Sequence, residues 1–324
     1  MKMTTRARSF GFIGLGNMGS QMAHNLSMYS EKQAYQRMQI WNRSSAKSKQ
    51  LADICYCEVA ISIQSLVQAC DIIHMCLAND DVAHAIVDEV LAVQKQGIII
   101  VDHSTLFPTT SRALQEKAAL SGVIFCSCPV FGPPAAAKNA ALLVALAGPG
   151  EARNVLKEYI VPVIGKAMID CGEDASQGAL LKILGNNCIL GTIELLSESF
   201  TLAEKTGLDM NHFYDFIETW FPAPAWLNYG KRIRDGAFSG TSGFTIPGGM
   251  KDAGFIRRLG ADTSTPTPII DQAWNHLTTA MVLGGDSLDW SACAAGMRVT
   301  AGLRPFKGED FSVLKPDSNR SGPF

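Results

Sequence analysis

Residues 11–19 read Gly-Phe-Ile-Gly-Leu-Gly-Asn-Met-Gly and decide the fold of the N-terminal half. A short apolar strand, Ser9–Ile13, is predicted before this loop and a helix over 19–29 after it. In such a loop the first glycine permits a tight turn, the second lets the backbone approach a pyrophosphate, and the third lets helix and strand pack closely. A flexible loop is the alternative for a motif of this kind alone. The sequence predicts a dinucleotide bound by Gly14, Leu15, Gly16, Asn17, Met18 and Gly19.

The second predicted strand ends at Trp41-Asn42-Arg43-Ser44. An enzyme that uses NAD usually has Asp or Glu here to accept hydrogen bonds from the ribose 2′-OH. Asn42 carries no negative charge, and Arg43 adds a cation able to stack on adenine and to pair with a 2′-phosphate. Ser44 and Lys47 add further donors. These residues favour NADP(H) over NAD(H), with an exposed arginine beside an NAD site as the alternative.

Strand and helix signals alternate through the rest of the first half. Strands are predicted over 39–42, 72–77, 97–101, 123–130 and 142–147, and helices over 46–54, 82–93 and 109–120. This alternation implies right-handed crossovers and a mostly parallel sheet covered on both faces.

The pattern changes near residue 173. A helical segment from 178 to about 206 is apolar nearly all round, so we expect it to be buried on most sides. Its length would be roughly 43 Å. The predicted fold class is an α/β Rossmann-type N-terminal domain plus an all-α C-terminal domain joined by a long helix. The predicted domains are 1–173, which binds NADP, 174–302, a helical substrate and dimerisation domain, and 303–324, an extended tail.

Composition narrows the class of protein. The 324 residues are 47% hydrophobic and 18% charged, with a net charge of −2 and no basic stripe, which argues against nucleic-acid binding. No run of apolar residues reaches the length of a transmembrane helix, and no signal peptide is predicted, so we expect no membrane partner and a cytoplasmic location. Nine cysteines include the pairs Cys55/Cys57 and Cys126/Cys128, whose spacing favours reduced structural thiols over a metal site or a disulfide.

A lysine lies in the apolar long helix. Lys182 and Asn186 are four residues apart and share a face with Gly178, one turn earlier. Partial burial favours the neutral amine of a lysine, which then exchanges protons near neutrality. A lysine that extends its amine to solvent at a helix end is the alternative. The small residue before it and the amide after it favour a built pocket. A second basic site, Lys251-Asp252, follows Gly248-Gly249, a predicted tight turn into a helix.

Taken together, these motifs resemble the β-hydroxyacid dehydrogenase family, relatives of 3-hydroxyisobutyrate and 6-phosphogluconate dehydrogenases. The resemblance covers roughly residues 9–302. It rests on motifs in the family's order: the loop 11–19 with Met22-Ala23 and Asn25-Leu26, Asp102-His103-Ser104-Thr105 with Pro108, Gly178 with Lys182 and Asn186, Phe244 with Lys251-Asp252, and Asp289-Trp290-Ser291-Ala292.

The resemblance implies roles for individual residues. Lys182 would be the catalytic acid/base and Asn186 would position it and the substrate. Ser104 would hold a substrate carboxylate, and Thr105 would lie beside the nicotinamide. The cofactor would also contact Leu77, Ala78, Val82 and Lys251. Family members are typically dimers or tetramers, so a homodimer or homotetramer through the helical domain is expected.

One segment departs from the family pattern. The substrate loop usually reads Pro-Val-Ser-Gly-Gly, and here it is Pro129-Val130-Phe131-Gly132-Pro133-Pro134. Phe131 replaces a hydroxyl able to bind a carboxylate, and Pro133 removes a backbone donor. Each lost hydrogen bond to a charged group would cost about 1.5–3 kcal/mol. A bulkier or less acidic substrate therefore becomes plausible at Phe131 and Gly132, with Trp220, Phe221 and Trp226 as either pocket lining or helical core.

Three functions are consistent with the sequence. The first is an NADP(H)-dependent oxidoreductase that moves a hydride between nicotinamide and a carbonyl or alcohol substrate of the hydroxyacid or semialdehyde type, with Lys182 as general acid/base. The second is an imine-reductase-like enzyme, against which Lys182 argues, because those relatives commonly replace that lysine. The third is a non-catalytic NADP-binding protein, against which the intact lysine and asparagine argue.

Overall fold

Six parallel strands form the central sheet that the N-terminal half predicts. The strands lie in the order β3-β2-β1-β4-β5-β6, and the order reverses between the adjacent strands β1 and β4. Each of β1, β4 and β5 is buried along its whole length, and apart from His74 and Asp102 its side chains are apolar. The strands are β1 (Phe10–Ile13), β2 (Met38–Trp41), β3 (Cys57–Val59), β4 (Ile72–Met75), β5 (Ile99–Asp102) and β6 (Ile124–Ser127).

Helices connect these strands in the computed structural model, which describes residues 8–239 and 243–307. Two hydrophobic clusters, one on each face of the sheet, confirm that both faces are covered. Asn79 caps one helix by accepting a hydrogen bond from the Val82 backbone, and Ser62 and Ser65 form a capping box on another. The helices are α1 (Gly19–Lys32), α2 (Ser45–Ala52), α3 (Ile63–Ala69), α4 (Asp80–Ala92) and α5 (Pro108–Leu120). The strand β3 and the helix α3 were not predicted.

The strand predicted over 123–130 is wrong in its extent, because the chain changes sheets inside it. β6 ends at Ser127, and Val130–Phe131 forms β7 in a second sheet of order β7-β8-β9. Pro129 has no N–H to continue the first ladder, and its carbonyl instead accepts from Ala145 at 2.9 Å. The remaining elements here are α6 (Pro134–Lys138), β8 (Leu142–Leu146), α7 (Gly150–Lys157), α8 (Ile160–Val163) and β9 (Gly165–Asp170).

A chain of buried polar groups crosses the main sheet. Nδ1 of His103 lies 2.8 Å from the Cys128 carbonyl, which only accepts, so this nitrogen carries the proton. Nε2 of His103 then accepts from Nδ1 of His74 at 2.8 Å, and Nε2 of His74 accepts from the Tyr159 hydroxyl at 2.8 Å. Burial lowers the pKa of His103 to about 4 and holds that of His74 well below its ordinary value. Both imidazoles are therefore neutral in the native state.

The chain divides into two compact units, and the division lies between Ile183 and Leu184, inside the long helix. The predicted boundary at residue 173 lies just before this helix and remains a prediction. The second unit is helical, as expected, and Phe306 packs on Phe238 near its end. Residues 308–324 of the predicted tail lie outside the described part of the chain. The helical elements are α9 (Ala175–Thr206), α10 (Met210–Trp220), α11 (Pro224–Asp235), α12 (Ile246–Asp262), α13 (Pro268–Gly284), a 3₁₀ helix (Trp290–Cys293) and α14 (Ala294–Thr300).

The long helix α9 has 32 residues and is less buried than its sequence predicts. Leu184, Leu195 and Leu202 are 47%, 49% and 57% exposed. With the exposed Cys188 they recur at spacings of four and seven residues and share one face, which we call the apolar stripe. The expectation of burial on most sides is therefore wrong for this face of the helix.

By length and composition α9 could also cross a membrane. Its most apolar 18-residue window has a mean hydropathy of 1.4, and 39% of that window is buried. The expectation that no segment reaches the length of a transmembrane helix is thus wrong, because it counted uninterrupted apolar runs rather than the average over a helix. The core helix of a soluble protein passes the same test.

Candidate active site

The glycine loop between β1 and α1 has the geometry that a dinucleotide requires. Gly14 has φ +93°, and a Cβ there would lie 2.4 Å from the Cys76 carbonyl oxygen. A Cβ on Gly19 would lie 2.0 Å from the Gly14 carbonyl oxygen, so the helix start and the turn touch. At Gly16 no atom lies within 4 Å of such a Cβ, which leaves space for a phosphate. Helix α1 follows the loop directly and begins without a side-chain cap, so no side chain covers this N-terminus.

The segment after β2 supports the loop and presents a cation. The Asn42 side-chain oxygen accepts from the Leu15 backbone at 2.9 Å, and its amide donates to the Ser44 carbonyl at 3.1 Å. Asn42 therefore holds the glycine loop to the next turn, which its sequence position did not reveal. Arg43 is exposed, and within the described ranges it forms no salt bridge. Ser44 is the N-cap residue of α2, and Lys47 is exposed one turn into that helix.

The carboxyl ends of β4 and β5 lie next to the glycine loop across the sheet. The Ser104 hydroxyl accepts from the Leu77 backbone at 2.7 Å and donates to Oδ1 of Asp102 at 2.5 Å. The hydroxyl thus joins the two strand ends, and contact with a substrate carboxylate remains a prediction. Thr105, Leu77 and Val82 are half-buried and Ala78 is exposed, all on loops or helix starts at this edge.

Lys182 and Phe131 lie together in the first unit. The Nζ atom of Lys182, which is half-buried, lies 4.5 Å from the centroid of the Phe131 ring. A ring presents its negative face to an ammonium group, so this contact stabilises and orients the cation. Phe131 is held by β7, where it pairs with Leu143 of β8. Gly132 follows with φ +138°, and a Cβ there would lie 2.7 Å from Leu142.

The start of α9, which positions Lys182, is anchored to the sheet domain. Asp174 accepts from the Ser176 backbone at 2.9 Å and pairs with Arg112 at 2.6 Å. The Arg112 guanidinium lowers the pKa of the Asp174 carboxyl to about 2. A Cβ on Gly178 would lie 3.1 Å from the Ser127 hydroxyl, so this glycine permits close packing on β6. Gly178 therefore serves packing and does not open the pocket that its small size suggested.

Asn186 is one turn beyond Lys182 on α9 and is buried in the second unit. Its amide donates to Oδ2 of Asp252 at 2.6 Å. Oδ1 of Asp252 lies 3.0 Å from Nζ of Lys251, which also lies 4.8 Å from the centroid of the Phe255 ring. Sequence reasoning assigned no role to Asp252, although the Lys-Asp pair was the signal for it. The buried carboxylate fixes both the asparagine amide and the lysine.

The late motifs stabilise the segment that carries Lys251. The Asp289 carboxylate accepts from the backbones of Phe244 at 2.9 Å and Ser291 at 3.0 Å. Gly248 and Gly249 lie inside α12, which begins at Ile246, so the tight turn predicted there is wrong. A Cβ on Gly248 would lie 2.7 Å from the Phe244 ring and one on Gly249 would lie 2.9 Å from the Trp290 side chain, so the two glycines let α12 pack on these aromatic residues.

Of the aromatic residues considered as pocket lining in the helical unit, Phe221 and Trp226 stack on each other and Trp220 is exposed. Trp220 is 70% exposed. The rings of Phe221 and Trp226 are parallel, with centroids 4.4 Å apart. Trp220 is thus not an ordinary core residue, and a role in substrate binding remains a prediction.

Comparison with known proteins identifies relatives of this site and fold. The model of the NAD binding domain of 6-phosphogluconate dehydrogenase matches residues 9–172. An uncharacterized oxidoreductase of Bacillus subtilis is 30% identical over 86% of this chain and 96% of its own. An NADH-dependent oxidoreductase of Aspergillus ustus is 28% identical over 89% and 98% of the two chains. The mitochondrial 3-hydroxyisobutyrate dehydrogenase of Drosophila melanogaster is 28% identical over 81% of each.

Solved structures share the same fold. A 3-hydroxyisobutyrate dehydrogenase of Mycobacterium tuberculosis, solved with L-serine, has a TM-score of 0.78 at 22% identity and covers 90% of this chain and 99% of its own. An imine reductase of Myxococcus stipitatus, in complex with NADP⁺, has a TM-score of 0.59 at 18% identity and covers 89% and 99%. At these identities the likeness concerns the fold.

Proposed function

The chain belongs to the β-hydroxyacid dehydrogenase family, and within it we propose an NADP(H)-dependent oxidoreductase that interconverts a carbonyl and an alcohol, with Lys182 as general acid/base. When bound, the dinucleotide supplies or accepts the hydride. In reduction, Lys182 gives a proton from Nζ to the forming alkoxide oxygen, and in oxidation it takes that proton back. The half-buried amine held 4.5 Å from the Phe131 ring is the observation that carries this proposal.

The neighbouring residues have supporting roles in this scheme. The loop from Gly14 to Gly19 would hold the phosphates, and Gly16 leaves room for them. The cofactor would contact Thr105, Leu77, Ala78, Val82 and Lys251, as the family resemblance implies. Asn186 is held by Asp252 and orients the lysine or the substrate oxygen. The Ser104 hydroxyl already donates to Asp102 and accepts from the Leu77 backbone. A hydrogen bond from Ser104 to the substrate would have to compete with the one to Asp102.

Replacement of the lysine tests the acid/base role. We expect Lys182→Ala to lower kcat by about 10²- to 10⁴-fold, the usual contribution of a general acid, while the affinity for NADPH stays unchanged. Lys205→Ala is the matched control, since Lys205 is exposed near the other end of the same helix. Steady-state rates and a fluorescence titration with NADPH measure the two effects. Unchanged turnover in Lys182→Ala would refute the assignment.

The preference for NADP(H) rests on Arg43, with Lys47 nearby. Arg43 is exposed and has no carboxylate partner among the described residues, so its guanidinium is available to a 2′-phosphate. The Aspergillus relative is NADH-dependent by name, so the family does not decide the preference for this chain. Titration of the wild type and of Arg43→Ala with both cofactors decides it. We expect the variant to lose NADPH affinity and to keep NADH affinity, and equal losses for both would contradict the preference.

The substrate class follows from Phe131 and Pro133. They remove two hydrogen bonds that a carboxylate would use, so a carbonyl compound less acidic than a small hydroxyacid is favoured. Imine reduction is the second candidate, supported by the same missing donors. A reduction screen of aldehydes, keto acids and cyclic imines separates the two. NADPH binding without turnover on any of them would favour a non-catalytic protein.

The apolar stripe of α9 supports self-association. Leu184, Leu195 and Leu202 are about half exposed on one helix face, which is unusual for a monomer unless a partner covers them. A second copy that covers this face gives a homodimer or homotetramer through the helical unit. The proposed substrate of the enzyme is a small molecule. A cytoplasmic location remains the expectation from the sequence. Light scattering over a range of concentrations measures the oligomeric state.

A further inference from the structure

Three side chains with metal-ligand chemistry meet inside the helical unit, apart from the proposed active site. Glu194 comes from α9, His276 from α13 and Cys293 from the end of the 3₁₀ helix, and all three are buried. Their ligand atoms lie within 4.8 Å of one another. Glu194 is eight residues from Asn186 on α9, or roughly 12 Å along the helix.

Hydrogen bonds within the chain account for only part of this cluster. Oε1 of Glu194 and Nδ1 of His276 are 2.8 Å apart, yet they are poorly aligned, and neither atom makes a hydrogen bond among the described residues. The Cys293 thiol donates to the other oxygen, Oε2, at 3.1 Å. The carboxylate, the imidazole and the thiol therefore converge on one point.

Charge also favours a cation at this point. Glu194 is 6% exposed, and in the described part of the chain no lysine or arginine pairs with it. A buried carboxylate without a positive partner is costly. A cation between the three groups would compensate the carboxylate and give each of the two unsatisfied atoms a ligand bond.

We propose that Glu194, His276 and Cys293 bind a divalent transition metal ion of the zinc class. Thiolate, imidazole and carboxylate are the ligands of zinc, and a hard cation such as Mg²⁺ or Ca²⁺ would not select a thiol. With bonds of about 2.0–2.3 Å, tetrahedral ligands lie roughly 3.3–3.8 Å apart. The carboxylate oxygens, at 2.8 Å from the imidazole and 3.1 Å from the thiol, therefore need to move away from these groups by about 0.5 Å. A water molecule completes the coordination.

The histidine has a neighbouring side chain that can support it as a ligand. Nε2 of His276 lies 2.9 Å from the side-chain amide of Gln272, one turn earlier on α13. The nitrogen of the Gln272 amide faces Nε2 and donates to it. Metal binding at Nδ1 puts the imidazole proton on Nε2, and the amide then turns over so that its carbonyl oxygen accepts this proton. On binding, the S–H bond of Cys293 breaks, the sulfur–metal bond forms and the proton leaves to solvent. The ion ties three helical elements together, which is a stabilising role.

Cobalt(II) titration of the full-length protein tests the site. We expect one Co²⁺ per chain with a thiolate-to-metal charge-transfer band, and zinc that displaces it. Cys293→Ser abolishes the band, and Gln272→Ala, a change in the positioning residue, weakens affinity by about 10- to 100-fold. Cys188→Ser is the matched control, because this exposed cysteine lies on α9 outside the cluster, and it keeps the band.

Two results would overturn the proposal: no stoichiometric binding by the folded wild type, or a charge-transfer band that survives in Cys293→Ser. Circular dichroism and NADPH binding report whether each variant folds. Should Cys293→Ser fail to fold, the wild type still decides, since zinc raises its Tm and a chelator lowers it when the site exists, and neither changes Tm when it does not.

Discussion

Phe131 changes the chemical group that faces the Lys182 amine. A serine at this position would give a hydroxyl to a carboxylate, whereas the ring gives a negative face to the ammonium, 4.5 Å away. The contact itself holds the lysine while no substrate anion is present. Phe131 therefore has a positioning function as well as a steric one, which the comparison with the family pattern alone did not suggest.

Removal of the ring tests this function. A cation–π contact is worth about 0.5–2 kcal/mol, so Phe131→Leu should lower kcat/KM by about 2- to 30-fold. Phe131→Tyr keeps the ring and should keep the activity. Trp274→Leu is the control, since it removes a cation–π contact with Arg257 outside the proposed site. Equal losses in the Leu and Tyr variants would show that only the shape at position 131 matters.

The glycine loop shows how an element depends on two glycines for different reasons. Gly19 is required by the protein itself, because a Cβ there would meet the Gly14 carbonyl oxygen at 2.0 Å. Gly16 meets no protein atom, so only a ligand can require its missing side chain. Within one motif, Gly19 thus permits the start of the helix and Gly16 provides the binding surface.

Two alanine variants separate these reasons. Gly19→Ala should destabilise the unliganded protein by about 1–3 kcal/mol, the usual cost of overpacking. Gly16→Ala should leave that stability within about 0.5 kcal/mol and weaken dinucleotide binding. Urea denaturation and cofactor titration measure the two quantities. Intact cofactor affinity in Gly16→Ala would mean that the pyrophosphate does not approach this position.

Sequence predicted those features that depend on neighbours along the chain. The glycine loop, the alternating strands and the long helix follow from local spacing, and the structure confirms the α/β class and the helical second half. The contact of Phe131 with Lys182 and the bond of Asn186 to Asp252 join residues 51 and 66 positions apart, which no local pattern specifies. The exposure of the apolar stripe was missed because hydrophobicity does not say what covers a residue.

The histidine chain in the main sheet affects the stability of the whole protein. His103 and His74 are neutral in the native state because burial lowers the pKa of each. In the unfolded chain both titrate near pH 6.5, so the unfolded state binds more protons below that pH. The stabilisation is complete above about pH 6.5 and is lost as the pH falls towards 4.

Acid unfolding measures this effect. His103 alone should cost roughly 3 kcal/mol of unfolding free energy between pH 7 and pH 4, and His103→Gln should flatten the profile. His212→Gln changes an exposed histidine and should leave the slope as in the wild type. Asp174 has a pKa of about 2 in the native state. Its contribution to the free energy of unfolding is therefore lost mainly below pH 4, outside the range compared. A profile unaltered in His103→Gln would contradict the account.

The apolar stripe also contains Cys188, the exposed member of nine cysteines, of which Cys76 and Cys171 are half-buried and the others buried. A second copy seated on the stripe would shield this sulfur from reagents. A maleimide would then label Cys188 quickly in dilute protein and slowly in concentrated protein. The long helix therefore carries a built-in reporter of assembly, which can be read without introducing any label site.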